Sequence, residues 1–257
     1  MTKVYEEYGC GNALYTGAVG FLASLECELE WVRNGGNNIG AFRCEKDGSL
    51  RNNGFEYISA VGKDRKALVE DFEFLHKNIT FYAKEDPFSA RTSTHVHVNV
   101  CTLEMEQVRN LVLLYALFEE FFFAMVKPVR RDNIHCVPLT ETYLPNHYNK
   151  SAAALLPHWH KYTALNMKRV TDLGTLEFRH LHGTGDSKEV ETWLHVLENL
   201  WKLCQRVDIN EQTLSDKNAI QEWFELIFFP ADRIIMLKPS LFDIIKNSLI
   251  DVKFSTI

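Results

Sequence analysis

The sequence predicts an α+β fold built on a mostly antiparallel β-sheet, packed by helices and ending in a helical third. Three observations carry this. Short strand-like runs separated by turn signals fill the first 60 residues. A segment from Glu104 to Lys127, apolar around most of a helical circumference, has the length of a central helix. The last third places its apolar residues at helical spacing. The order is strands, helix, strand, helix, loop, strand pair, helices, which lacks the regular alternation of a doubly wound sheet or barrel.

Taken in order, the first 60 residues read as a β-meander. Phe21 to Val32 puts Leu25, Cys27 and Leu29 on one face and Glu26, Glu28 and Glu30 on the other. Asn34-Gly35-Gly36-Asn37-Asn38 is a turn cluster, Ile39 to Glu45 a second strand, and Phe55 to Ala60 a third. Asp47-Gly48 and Asn53-Gly54 are turn signals between them. Asp64 caps a helix with Leu68, Phe72, Leu75 and Ile79 on one stripe. Thr92 to Val100 alternates as a strand. Residues 128–161 hold Pro128, Pro138, Pro145 and Pro157, which break any long element, and a long irregular segment of this kind is usually functional. Lys161 to Met167 and Gly174 to His182 read as a hairpin-linked pair of strands. Val190, Trp193, Leu194, Leu197, Leu200, Trp201 and Cys204 then form one helical stripe. Ser215 caps a helix carrying Ile220, Trp223, Phe224 and Ile227, and a last helix runs from about Pro239 to Leu249. With no linker or repeat, the chain reads as a single domain, with a sheet core at about 20–205 and supporting helices at about 206–257.

A formal net charge of -6 argues against nucleic acid, because phosphate neutralisation needs clustered Lys and Arg. The most apolar stretch, Leu111 to Val126, is too short for a membrane span and carries Glu119 and Glu120. The mildly apolar run Ala13 to Leu25 is interrupted by Tyr15, Thr16, Gly17 and Gly20 and does not read as a signal peptide. Cys10, Cys27, Cys44, Cys101, Cys136 and Cys204 are scattered without a CxxC pair, which fits reduced thiols in a cytoplasm. Trp223, Phe224, Phe228 and Phe229 fit either a core or the interface of a homo-oligomer.

The informative feature is charge along whole strand faces. Glu26, Glu28 and Glu30 share one face; His95, His97 and Asn99 share another; Glu177 and Arg179 a third; and Glu56 sits on a further short strand. One such strand fits the solvated face of a one-sided sheet. Several together fit less well, because these positions are mostly Glu and His with almost no Lys. If the strands pair, their carboxylates converge and repel. A hard divalent cation offsets that repulsion, and Mg²⁺ prefers oxygen ligands. A lone Arg beside the cluster suits phosphate, whose oxygens match its planar fork.

These segments resemble the amidoligase family, related to glutamine synthetase and glutamate–cysteine ligase. Ser24 to Glu30 (SLECELE) is similar to its first-strand ExE element, and Asp47 to Ser59 (DGSLRNNGFEYIS) to its DGS…GxE…S element. Ser93 to Val100 (STHVHVNV) resembles its HxHxN strand. Tyr162 to Met167 (YTALNM) and Gly174 to Asp186 (GTLEFRHLHGTGD) resemble its YxxLN and TxEFR…GT elements. The glycine often found before the first ExE is replaced here by Ser24 and Leu25. The resemblance implies a curved sheet of the glutamine synthetase and glutamate–cysteine ligase type, carrying ATP and Mg²⁺. It implies Glu26, Glu28, Glu56 and Glu177 as metal ligands, with Glu30 competing for one place. His97 and Asn99 would face the nucleotide, and Arg179 would hold the transferring phosphoryl group, with Glu56 and Glu177 catalytic alongside it. Asp47, Ser49 and Asn166 are candidate substrate contacts.

The implied activity joins a small-molecule or peptide carboxylate to an amine through an acyl phosphate, which needs charge neutralisation and positioning. Residues 130–160 are placed to cover the site, and Arg130, Arg131 and Lys150 are candidates for the substrate carboxylate; each singly also fits a solvated loop charge. Two alternatives stand beside this. One is a metal-dependent hydrolase using His95 and His97, with His158, His160, His180 and His182 as further ligands. Against it, His180 and His182 fall on the Phe178 face, away from Glu177. The other is a catalytically inactive nucleotide-binding relative. Cysteine–histidine catalysis rests only on Cys136 lying next to His135 and has little support.

Overall fold

The computed structural model describes residues 2–9, 20–59, 62–142 and 159–254. Cys10, Pro145, Lys150, Pro157 and His158 lie outside the described residues. A six-stranded sheet forms from β1 (Ala23–Leu29), β2 (Phe42–Glu45), β3 (Phe55–Ser59), β4 (Thr94–Asn99), β5 (Leu165–Asn166) and β6 (Thr175–Phe178). Its order is β2-β3-β1-β4-β6-β5 and all five pairings are antiparallel.

The first three strands are not a meander. β3 lies between β1 and β2. The link after β1 is too long to act as a tight hairpin, and Glu30 leaves the strand line to accept from the Arg51 amide (2.8 Å) and the Asn52 side chain (3.4 Å). That contact brings the far end of the β2–β3 connection beside β1. Asn52 and Asn53 hold left-handed backbone (φ 52° and 56°), which Asn tolerates better than most residues.

The helices are α1 (Val4–Tyr8), α2 (Arg65–Asn78), α3 (Met105–Ala124), α4 (Ser187–Leu203), α5 (Lys217–Phe228), α6 (Asp232–Ile235), α7 (Leu241–Ile244) and α8 (Lys246–Phe254). Asp64 caps α2, accepting from the Ala67 amide at 2.9 Å, and Leu68, Phe72 and Leu75 are buried as their spacing predicts. α3 is buried round most of its circumference. It packs against α4 and α8, and α4 packs against α2 and α5. The cap of α5 is Asp216 rather than Ser215, which lies in the preceding 3-10 turn; the Asp216 carboxylate accepts from the Asn218 amide. The expected last helix is broken into a 3-10 turn, α7 and α8. α1 was not foreseen. Of the expected strand 161–167 only Leu165–Asn166 joins the sheet; Thr163 forms an isolated parallel bridge with Val137, and its Oγ1 turns back to the His160 carbonyl at 2.6 Å.

The two faces of the sheet differ as the alternation requires. Leu25, Cys27, Leu29, Tyr57, Val96, Val98, Leu176 and Phe178 join the buried core. The opposite positions carry the charge. The cysteines among the described residues are free thiols, and no helix among those residues is long and apolar enough to cross a membrane.

Candidate functional site

The charged strand positions meet over one sheet face, and the strand register places them. Glu45 of β2 lies opposite Glu56 of β3, and Glu56 opposite Glu28 of β1. Glu26 lies opposite His95, Ser24 opposite His97, His97 opposite Glu177, and Glu177 opposite Asn166. Period-two side-chain placement turns this register into a single floor of acids and imidazoles. Above it is a cavity of about 630 Å³ lined by Glu26, Glu28, Glu56, His95, His97, Glu177 and Arg179, with Asp47 and Ser49 also on its wall.

The contacts within it are dense. His97 Nε2 lies 2.9 Å from Glu26 Oε1, an ion-pair contact between a buried imidazole and a carboxylate. Its Nδ1 is 3.1 Å from Thr175 Oγ1, which fixes the ring. His95 Nδ1 sits 3.4 Å from both Glu26 and Glu177, and its Nε2 is 2.8 Å from Ser93 Oγ. Ser93 Oγ in turn donates to Glu28 at 2.5 Å. Glu177 accepts from Asn166 Nδ2 at 2.7 Å and from Arg179 Nη1, while Arg179 Nε donates to the His135 carbonyl at 3.0 Å.

The electrostatics follow. Burial opposes ionisation of Glu26, but His97 and His95 outweigh it and hold the carboxyl far below the usual range. Glu177 behaves likewise: burial raises it, and His97, His95 and Arg179 bring it down. For His97, burial works against the proton, but Glu26 and Glu177 raise the imidazole above its ordinary value. Burial, then the charges of Glu26, Glu28, Asp47 and Glu177, push Glu56 up to about 8. Three groupings bring ligand atoms within 4.8 Å of one another: Glu26 with Glu56 and His95, Glu26 with His97 and Glu177, and Glu28 with Asp47 and Glu56. The convergence of these carboxylates and imidazoles, with the Glu56 carboxyl raised by its acidic neighbours, fits a divalent metal.

The family model described as "Putative amidoligase enzyme" matches residues 69–201. The chain belongs to the amidoligase family. No curated protein matches it in sequence. Among solved structures it is similar to a bifunctional glutathione synthetase from Pasteurella multocida, at 8% identity and a TM-score of 0.46. That similarity covers 91% of this chain and 46% of the synthetase chain, so the chain spans less than half of its length.

Against this geometry, several expected contacts of the amidoligase site move. Asn99 does not line the cavity; its Oδ1 accepts from the Cys101 amide at 3.0 Å and its carbonyl from Trp201 Nε1, which makes it a buried brace beyond the floor. Asn166 touches Glu177 rather than the cavity. Arg131 turns away to Glu120 and Glu141, drawn by two carboxylates, whereas Arg130 stays on the wall. Glu30, tied to the 51–52 backbone and side chain, leaves Glu26 and Glu28 as the acids of β1 over the cavity. His180 packs on the core side, 2.8 Å from Tyr115 Oη, and His182 faces Glu189, so neither joins His95 and His97. Burial pushes the Cys136 thiol up to about 11, which removes a thiolate nucleophile at neutral pH. Strand alternation gave no sign of Arg91, His135 and Arg169 as wall residues, whereas Ser93 shares the parity of His95 and Tyr162 opens the YxxLN element.

Proposed function

We propose that the cavity carries out ATP-dependent joining of a carboxylate to an amine. The supporting observation is the convergence of Glu26, Glu28, Glu56, His97, Glu177 and Arg179 from β1, β3, β4 and the end of β6 over one face. On this reading the sheet is of the glutamine synthetase and glutamate–cysteine ligase type, in a single domain working in the cytoplasm.

Glu26, Glu28, Glu56 and Glu177 would hold Mg²⁺, which supplies charge neutralisation for the phosphates when bound. His97 shares the buried end with Glu26 and Glu177. Arg179, held at Nε by the His135 carbonyl, keeps its Nη groups over the floor, where they meet the phosphoryl group passing from ATP to the substrate carboxylate. Asp47 and Ser49 on the acidic wall receive the amine as a cation. Once a carboxylate of that wall has taken its proton, the amine attacks the acyl carbon of the acyl phosphate, and inorganic phosphate leaves. Arg130 and its neighbours close the opposite wall and limit water, which would hydrolyse the acyl phosphate.

The test is ADP release with Mg²⁺ against pooled carboxylates and amines, with mass spectrometry of the products. Failure of the protein to bind ATP in the presence of Mg²⁺ would end this reading. Because His95 or His97 enters two of the three groupings, tightly retained zinc without nucleotide binding would favour a hydrolase.

A further inference from the structure

We propose that Asn133 is a positioning residue for Arg179. By tying the loop that carries His135 to the turn that leads into β4, it fixes where the Nη groups of Arg179 stand over the floor. This deepens the ligase reading above and rests on it for the effect on phosphoryl transfer.

Arg179 is held at three points, and two of them come from one loop. Its amide donates to the Ala164 carbonyl at 2.8 Å, its carbonyl accepts from Arg130 Nη2 at 2.6 Å, and its Nε donates to the His135 carbonyl at 3.0 Å. The first two fix the main chain only. A guanidinium on a long flexible stem has many orientations, and the Nε bond selects among them. Nη1 also meets Glu177. On the ligase reading Glu177 binds metal, so a bound cation competes for that contact. The His135 carbonyl is the anchor that remains.

His135 stands between two pins. On one side the Val137 amide donates to the Tyr162 carbonyl at 2.8 Å, and the Val137 carbonyl accepts from the Ala164 amide at 2.7 Å. On the other, Asn133 Oδ1 accepts from the His135 amide at 2.8 Å and the Asn133 carbonyl from the Cys136 amide at 2.9 Å, closing a tight turn around His135. Asn133 Nδ2 then donates to the Ala90 carbonyl at 3.2 Å. The partners settle how the side-chain amide is turned, since a carbonyl only accepts and an amide N–H only donates. The turn at Ala90 is joined to the floor. Just beyond it, the Thr92 carbonyl accepts from the Gly183 amide at 3.0 Å and the Ser93 carbonyl from the Glu28 amide at 2.9 Å. Asn133 therefore refers the His135 carbonyl, and through it Arg179, to β1 and to the segment that follows β6.

Asn133 is half-buried and is not on the cavity wall. Its bond to Ala90 is open to solvent and contributes little to stability. Its effect is geometric, because a reacting group misplaced by about 1 Å can cost about 10²-fold in rate. Asp at this position would keep the turn but set a carboxylate oxygen against the Ala90 carbonyl.

The experiment compares the full wild-type chain with Asn133→Ala, Asn133→Asp, Arg179→Lys and the double variant Asn133→Ala/Arg179→Lys. The Arg179 Nε–H signal in ¹H–¹⁵N spectra is assigned by its loss in Arg179→Lys. In wild type it should exchange with solvent at least about tenfold more slowly than a solvated arginine, and in both Asn133 variants within about threefold of one. Calorimetry then compares Mg²⁺–ADP with Mg²⁺–ADP plus aluminium fluoride, a mimic of the phosphoryl group in transfer. Both Asn133 variants should bind the mimic about 10–100-fold more weakly, and ADP alone within about threefold of wild type. Added to Arg179→Lys, which lacks the guanidinium Nε, Asn133→Ala should change mimic affinity by less than about twofold. An Nε–H signal equally protected in wild type and the Asn133 variants overturns the proposal. So does an equal loss of ADP and mimic, which assigns Asn133 to nucleotide binding, a loss that multiplies in the double variant, or a wild type that gains nothing from aluminium fluoride. If Asn133→Ala does not fold, Asn133→Asp carries both measurements, alone and in the double variant. If wild type binds no ADP, the ligase reading falls, and the Nε–H exchange alone decides whether Asn133 holds Arg179.

Discussion

Replacing Glu56 by Gln should stabilise the metal-free protein in alkaline solution and weaken its response to Mg²⁺. Glu56 is partly buried and rises from its ordinary 4.5 to about 8 through burial and the charges of Glu26, Glu28, Asp47 and Glu177. A carboxyl whose folded pKa is raised keeps its full contribution below pH 4.5 and loses it as pH climbs through about 8, because the folded state must then ionise at a cost the unfolded chain does not meet. One pKa step is worth about 1.4 kcal/mol. Discounted for partial exposure, the wild type should lose about 2–4 kcal/mol across this window through Glu56. Gln has nothing to ionise and loses none of it. Urea unfolding followed by tryptophan fluorescence in EDTA reads the difference: near-equal stabilities at pH 5, and Glu56→Gln more stable by about 2–4 kcal/mol at pH 9. Saturating Mg²⁺ should then restore the wild type, by about 2.7 kcal/mol at one hundred times the dissociation constant of the ion that Glu56 binds, and stabilise the variant by less, through the grouping of Glu26, His97 and Glu177 alone. An equal gap between the two proteins at both pH values, with or without Mg²⁺, would refute the crowding of acids at Glu56.

Further outcomes can be checked on the same material. Glu177→Gln should lower ATP turnover by about 10²–10³-fold with an unchanged melting curve, since it loses a charge facing Glu26 and His97 and keeps the Asn166 contact; a fully active variant counts against the site. Asp64→Ala should cost about 1 kcal/mol in thermal unfolding and leave turnover intact, because only the α2 cap at Ala67 is lost. His76 is held down to about 4 by burial between Phe72 and Phe88, so its folded pKa is depressed; stability should fall as pH drops from 6.5 towards 4, and His76→Phe should flatten that part of the profile. Glu119→Ala should destabilise by about 3–5 kcal/mol in urea, since Tyr115, the Leu139 and Thr140 amides and the Thr140 hydroxyl all donate to its buried carboxylate.

Much of the site was legible because strand parity is a rigid rule. Once Leu25, Cys27 and Leu29 are core, Glu26 and Glu28 must point the other way, and the same step places His95, His97 and Glu177. Parity stops being informative where the strand stops. Glu30 keeps the parity of Glu28 but lies one residue past β1, and its carboxylate goes to the 51–52 turn. Asn99 keeps the parity of His97 and is still off the cavity, being spent on the Cys101 amide. The order β2-β3-β1 was illegible for a related reason: pairing partners are set by long-range packing, and the sequence signals only local turns. Loop residues such as Arg91 and His135 have no periodicity to read, and Asn133, which joins their loops, looks in sequence like any polar turn residue.

The charge balance along the floor gives these pieces one physical logic. At the β4–β6 side each acid has a basic neighbour: Glu26 has His97 and His95, and Glu177 has His97, His95 and Arg179, so both stay ionised without a metal. At the β2–β3 side Glu56 faces Glu28, Glu45 and Asp47 and holds a proton instead. A cation entering the cavity therefore meets two different sites. One is preionised and requires moving an imidazole or guanidinium aside. The other requires expelling a proton from Glu56. Binding at the second should release a proton near neutral pH and binding at the first should not, so proton uptake or release during Mg²⁺ titration in buffers of different ionisation enthalpy assigns the order of filling. Release confined to the later-filling ion would place the first Mg²⁺ between Glu26 and Glu177, beside Arg179, the arginine proposed to meet the phosphoryl group.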